Sequence, residues 1–123
     1  MTDLEPKDFA AWWRFDPTID AATYVQRVLK YYQKTPTTSG HIRPEDRQLA
    51  RQLYDRRISL RSIYAAFLMA ATRRLSGVED LSTIPPIRSL HYFLPVLDEI
   101  CREPLDPGYF ACLSYKIDRR LNR

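Results

Sequence analysis

Arginine is the residue whose type and spacing stand out in this chain. Arg43, Arg47 and Arg51 recur every four residues, the interval that stacks side chains along one edge of a helix. Arg56, Arg57 and Arg61 carry the charge onward, and Arg27, Lys30 and Lys34 form a second cluster upstream. A guanidinium is a planar fork of donors that meets two phosphate oxygens at once. At the helical rise of about 1.5 Å per residue, Arg43 to Arg51 span about 12 Å, the reach of two or three phosphates along a strand. The chemistry this spacing suits is contact with a polyanion.

The formal net charge of +4 hides how unevenly the charge is placed. Residues 1–21 are net −3, residues 22–75 hold eleven Lys and Arg against three acids for net +8, and residues 76–123 are net −1. So few acids cannot neutralise the basic block, and a bound polyanion would relieve its self-repulsion. The plain alternative is a solvated face paired to Glu45, Asp46 and Asp55.

Catalytic patterns are missing by contrast. His41 and His91 lie far apart, and neither falls in a ligand-spaced cluster with cysteine or carboxylate. There is no P-loop, no GxGxxG and no HExxH. Asp98 and Glu99 fall on the solvent side of a predicted helix. The expectation is a non-enzymatic protein that takes no metal or cofactor. Cys101 and Cys112 fall on the apolar sides of predicted helices, which predicts a reduced pair packed in the core. The N-terminal stretch is acidic where a secretory signal is basic, and no apolar run approaches the roughly 18–20 residues that span a bilayer. A cytoplasmic protein with no membrane partner is expected.

The elements that must carry these residues are helical. Apolar residues are 45% of the chain, charged residues 28%, and glycine occurs only 3 times, which favours a globular all-α domain over a strand protein with its many tight turns. A helix over about 20–34 has Asp20 as N-cap and the stripe Tyr24, Val25, Val28, Leu29, Tyr32. A second starts at Pro44, with Glu45 and Asp46 favourable to its dipole, buries Leu49, Ala50, Leu53 and Tyr54, and ends near Arg56 and Arg57. A third follows Ser59 and runs to about Leu75. It is apolar nearly all round, with Phe67 on its most apolar face, and so is central. A fourth covers about 89–102 with Leu90, Phe93, Leu94, Leu97 and Ile100 inward, Pro95 falling in its first turns or kinking it. The fifth follows Pro107 and Gly108, with Tyr109, Leu113, Ile117 and Leu121 as its inner stripe. The predicted fold is a compact bundle of about five helices.

Two units are expected: an acidic, aromatic-rich N-terminal segment over residues 1–19, and a single helical domain over 20–123. The aromatics Phe9, Trp12, Trp13 and Phe15 either fold back to plug the core or dock a partner protein, since exposed Trp and Phe make good anchors. The stretch LARQLYDRRISLRSIYAAF has the outline of a helix-turn-helix. Its second helix, however, is core material, whereas a recognition helix presents polar side chains to base edges.

From His41 to Ile100 the chain resembles the C-terminal helical domain of DnaD/DnaB-type primosome and replication-initiation proteins. The resemblance is carried by RPEDRQLARQLYDRR, by ISLRSIYAAFLMAATRR and by IRSLHYFLPVLDEI, and the family's final tryptophan has no counterpart here. It implies a helical module that contacts DNA without reading its sequence, inside a larger assembly. The function expected is therefore an accessory protein that binds nucleic-acid backbone, DNA or RNA, within replication, mobile-element or defence machinery, with protein partners. Two alternatives answer to the same residues: a small helical subunit of a CRISPR-type ribonucleoprotein effector, and an adaptor whose basic face meets an acidic protein.

Overall fold

Each predicted apolar stripe is found on a helix. The structure is a computed structural model that describes residues 13–103 and 105–121, the side chains of residues 120 and 121 excepted. In it α1 (Ala21–Lys34), α2 (Pro44–Asp55), α3 (Leu60–Leu75), α4 (Leu94–Arg102) and α5 (Pro107–Leu121) pack together, and no strand forms among the described residues. The fold is all-α.

Local chemistry fixes the helix ends. The Asp20 carboxylate accepts from the Thr23 N–H at 2.7 Å and Ser59 Oγ from the Ser62 N–H at 3.1 Å, satisfying first-turn amides of α1 and α3. Pro44 opens α2, where a missing N–H costs nothing. The other end of α2 closes as a Schellman motif: the Ile58 N–H reaches the Leu53 carbonyl and the Arg57 N–H that of Tyr54. Arg57 takes the left-handed conformation there, φ 57°, where glycine is the usual residue.

Helix α3 is the centre. It packs on α1, α4 and α5, while α1 also packs on α2. Ile63, Ala66, Phe67 and Ala70 are buried in the main core with Tyr24, Val28 and Tyr32 of α1, Leu49 and Leu53 of α2, and Leu97 and Ile100 of α4. Ala71, Leu75 and Ile117 make a smaller cluster that fastens α5. Most of α3 is buried, and the side chains that it exposes are Arg61, Tyr64 and Arg73.

Three expectations are corrected. The fourth predicted helix is two elements, a 3-10 turn at Leu90–Phe93 and then α4, with Pro95 in the first turn of α4, where it fits without a kink. Cys101 and Cys112 are exposed rather than core. Each adjoins a buried residue, Cys101 following Ile100 and Cys112 preceding Leu113, and one step along a helix rotates a side chain by about 100°, off the inner face. Tyr109 begins the fifth stripe but is 46% exposed, and its neighbour Phe110 is the residue of that turn that packs on the core.

The stretch between α1 and α2 is held from far along the chain. Ile87 donates to the Thr37 carbonyl at 2.7 Å and accepts from the Ser39 N–H at 2.8 Å, an isolated parallel bridge. Beside it, Asp46 has no exposed surface. Its carboxylate accepts from the Leu90 N–H at 2.9 Å and from the Arg43 N–H at 3.0 Å, so one side chain caps α2 and ties it to the 3-10 turn.

Candidate nucleic-acid interface

The nine candidate cations, Arg27, Lys30 and Lys34 of α1, Arg43, Arg47 and Arg51 of α2 or its cap, and Arg56, Arg57 and Arg61 around the turn into α3, are all exposed. The packing of α1 on α2 and α3 puts these segments side by side. Two of the cations meet acids of their own helix: Arg51 Nε lies 3.2 Å from Asp55 and Arg43 Nε 3.8 Å from Asp46. The exposed Arg51–Asp55 pair contributes at most about 1 kcal/mol and is open to exchange for another anion, whereas Asp46 is buried and only the Arg43 side of that pair faces solvent. Two further arginines of the basic block serve the fold instead. Arg73 makes a bidentate pair with Glu99 at 2.9 and 3.0 Å, and these hydrogen bonds, then its charge, hold the Glu99 carboxyl below the usual range. Arg74 donates to the Pro85 carbonyl and lies over the Tyr92 ring.

Six of the nine line not one stripe but three concavities, and Lys34, Arg56 and Arg57 line none of these. Between α1 and α2 runs a groove of about 790 Å³, edged by Lys30, Arg47 and Arg51 with Gln26 and Gln33, and floored by apolar side chains that include Leu29. On the other side of α1, at the N-terminus of α3, a smaller recess of about 360 Å³ gathers Arg14, Arg27 and Arg61 with one carboxylate, Asp16. The third, about 720 Å³, is lined by Arg43 with His41, Ser39 and Arg88. Arg57 stands apart with its guanidinium 5.5 Å from the Phe15 ring centroid.

Arg14 and Arg88 were not singled out from the sequence. Each is a lone cation in its own segment, and only the fold brings them beside the others. Sequence spacing did group Arg43 with Arg47 and Arg51, but Arg43 opens into a different concavity because it precedes the first turn of α2.

Of the candidate docking residues, Phe9 and Trp12 lie outside the described residues. Trp13 and Phe15 pack onto the domain itself. The Trp13 indole N–H donates to the Leu105 carbonyl at 2.9 Å, with its ring beside Phe110, and Phe15 packs against Tyr24 and Tyr54. These contacts are those of the plug described above. No group of three or more His, Cys, Asp or Glu side chains among the described residues is placed to hold a metal ion, and no helix there is long and apolar enough to cross a membrane.

Compared with protein-family models, with curated proteins and with solved structures, the chain matches none.

Proposed function

We propose that this protein binds nucleic-acid backbone through the cationic face formed by α1, α2 and the turn into α3, and that it does so as an accessory within a larger assembly. One observation carries the reading: every cation of the basic cluster named from the sequence is exposed, on segments that pack side by side. Such a surface attracts phosphates whatever the base sequence, by charge and counterion release. The assembly is of the replication, mobile-element or defence kind, the first of these resting on the resemblance to DnaD/DnaB-type proteins. Binding in this reading needs no bond made or broken by the protein.

The test is the double variant Arg47→Gln, Arg51→Gln. Glutamine keeps length and helix propensity while removing charge, so the fold survives. Binding of a mixed-sequence oligonucleotide, measured across a salt series, should weaken for all sequences alike, with the slope of log K against log salt falling by about two units. A double variant that binds as the parent does at every salt concentration would leave this face a solvated surface. Competition by polyglutamate as effective as by polynucleotide would make it a surface for an acidic protein.

A further inference from the structure

The groove between α1 and α2 has a cationic rim and an apolar floor, and each part constrains what can lie in it. On the rim, Arg47 and Arg51 rise from α2 and Lys30 from α1. All three are exposed, and only Arg51 has an ionic partner among the described residues, Asp55 at 3.2 Å. Arg47 and Arg51 stand four residues apart on one helix, about 6 Å along its axis. Two successive phosphates of one extended strand can therefore each meet a guanidinium. The floor is aliphatic: Leu29 lies buried beneath it, while Val25 and Ile42 are half-buried and keep part of their surface open to the groove.

Phosphate contact uses the rim and leaves the floor idle. Whatever hangs from a backbone seated on the rim faces Val25 and Ile42. In a duplex the base faces are stacked on one another and only their edges are open in the grooves, so this floor would stay uncovered. An unpaired strand can splay its bases, and every base has an apolar face to lay down. Two glutamines of α1 in the same groove add partners for base edges. Gln26 is exposed, and its amide makes no hydrogen bond among the described residues. Gln33 donates from Nε2 to the Gly40 carbonyl at 3.0 Å, which fixes its amide and leaves its oxygen to accept. An acidic amphipathic helix would also match the rim. Its apolar face, however, would cover these amides without bonding them, and an unbonded buried amide is costly.

We propose that the α1–α2 groove binds single-stranded nucleic acid, with the backbone along Arg47 and Arg51 and the bases turned onto Val25 and Ile42. The inference rests on the backbone-binding reading above and adds to it a preference for unpaired strands.

Three labelled ligands of one length, each made as DNA and as RNA, test it: a mixed-sequence strand without self-complementarity, the same strand paired with its complement, and the same sugar–phosphate backbone without bases. The parent should bind the single strand about tenfold or more tighter than either of the others, as one or two stacked bases provide. Val25→Thr keeps the branched shape and puts a hydroxyl on the floor, so it should weaken the single strand a few-fold and leave the baseless backbone unchanged. A duplex bound as tightly as the single strand overturns the preference and leaves the backbone reading standing. So does a baseless backbone that binds as tightly, or a Val25→Thr loss that the baseless backbone shares in full. A parent that binds none of the three overturns both readings. A labelled helical peptide with one face of glutamate and one of leucine that binds more tightly than the strand would assign the groove to an acidic protein instead. The comparison of ligands on the parent needs no variant, so a folding failure of Val25→Thr leaves the test decisive.

Discussion

Phe67→Ala is expected to destabilise the protein by about 3–5 kcal/mol, as truncation of a fully buried phenylalanine does. Phe67 is 2% exposed and sits between Tyr32 of α1 and Phe93 of the 3-10 turn. Its ring lies edge-on to Phe93 at 4.6 Å between centroids and 6.4 Å from Tyr32. Alanine would remove the ring and both contacts and leave a void that rigid neighbours cannot fill. Set against a total stability of about 5–15 kcal/mol for a domain of this kind, the loss is a large fraction. Urea denaturation should show a lower midpoint with an unchanged slope. Tyr64→Ala, from the same helix but 39% exposed, should shift the midpoint far less. Equal shifts for the two variants would mean that the α3 faces are assigned the wrong way round.

The second large effect belongs to a charge. Asp46→Ala should cost roughly 2–4 kcal/mol, the sum of a buried Leu90 N–H left without its acceptor and a lost cap on α2. Asp46→Asn keeps one acceptor oxygen and the shape of the side chain, so it should recover part of the loss. Because α2 carries Arg47 and Arg51, Asp46→Ala should also weaken oligonucleotide binding near the unfolding midpoint, in proportion to the folded fraction. Stability equal to the parent's for Asp46→Ala would show that water takes over the Leu90 amide and that the tie between α2 and the 3-10 turn is dispensable.

The contrast between these two residues explains what was legible in the sequence. Phe67, like Tyr24, Val28, Leu53 and Leu97, announces itself through helical periodicity, because burial of one face repeats every three to four residues. Asp20, Pro44 and Ser59 mark helix starts because capping is chemistry between near neighbours. Asp46 reads from its neighbours only as a favourable acid in a first turn. Its partner, the Leu90 N–H, is 44 residues away, and no local pattern encodes that distance. The same limit separates the two halves of the candidate interface. The exposure of Arg47 and Arg51 follows from their spacing on α2. The meeting of Arg14, Arg27 and Arg61 in one recess follows from how α1 packs on α3, which spacing does not carry. Cys101, Cys112 and Tyr109 were misplaced because an apolar or sulfur-bearing residue next to a true inner position looks inward until the exact rotation of a short helix is known.

The bridge at Ile87 and the carboxylate under Leu90 also bear on how the molecule breathes. Residues 76–90 contain only a short 3-10 turn at Leu81–Thr83 and the start of another at Leu90, and amides in such a stretch normally trade hydrogen with solvent quickly. The Ile87 and Leu90 amides are exceptions, since each is buried and bonded across the fold, one to the Thr37 carbonyl and one to Asp46. In deuterium exchange they should persist as long as the amides of α3, while those of Gly77 and Ser82 are lost early. Both amides report on the stretch that leads into α2, which carries the cationic edge at Arg47 and Arg51. They offer a clock inside the protein: a ligand seated on that edge should slow their exchange, and one seated elsewhere should leave it unchanged.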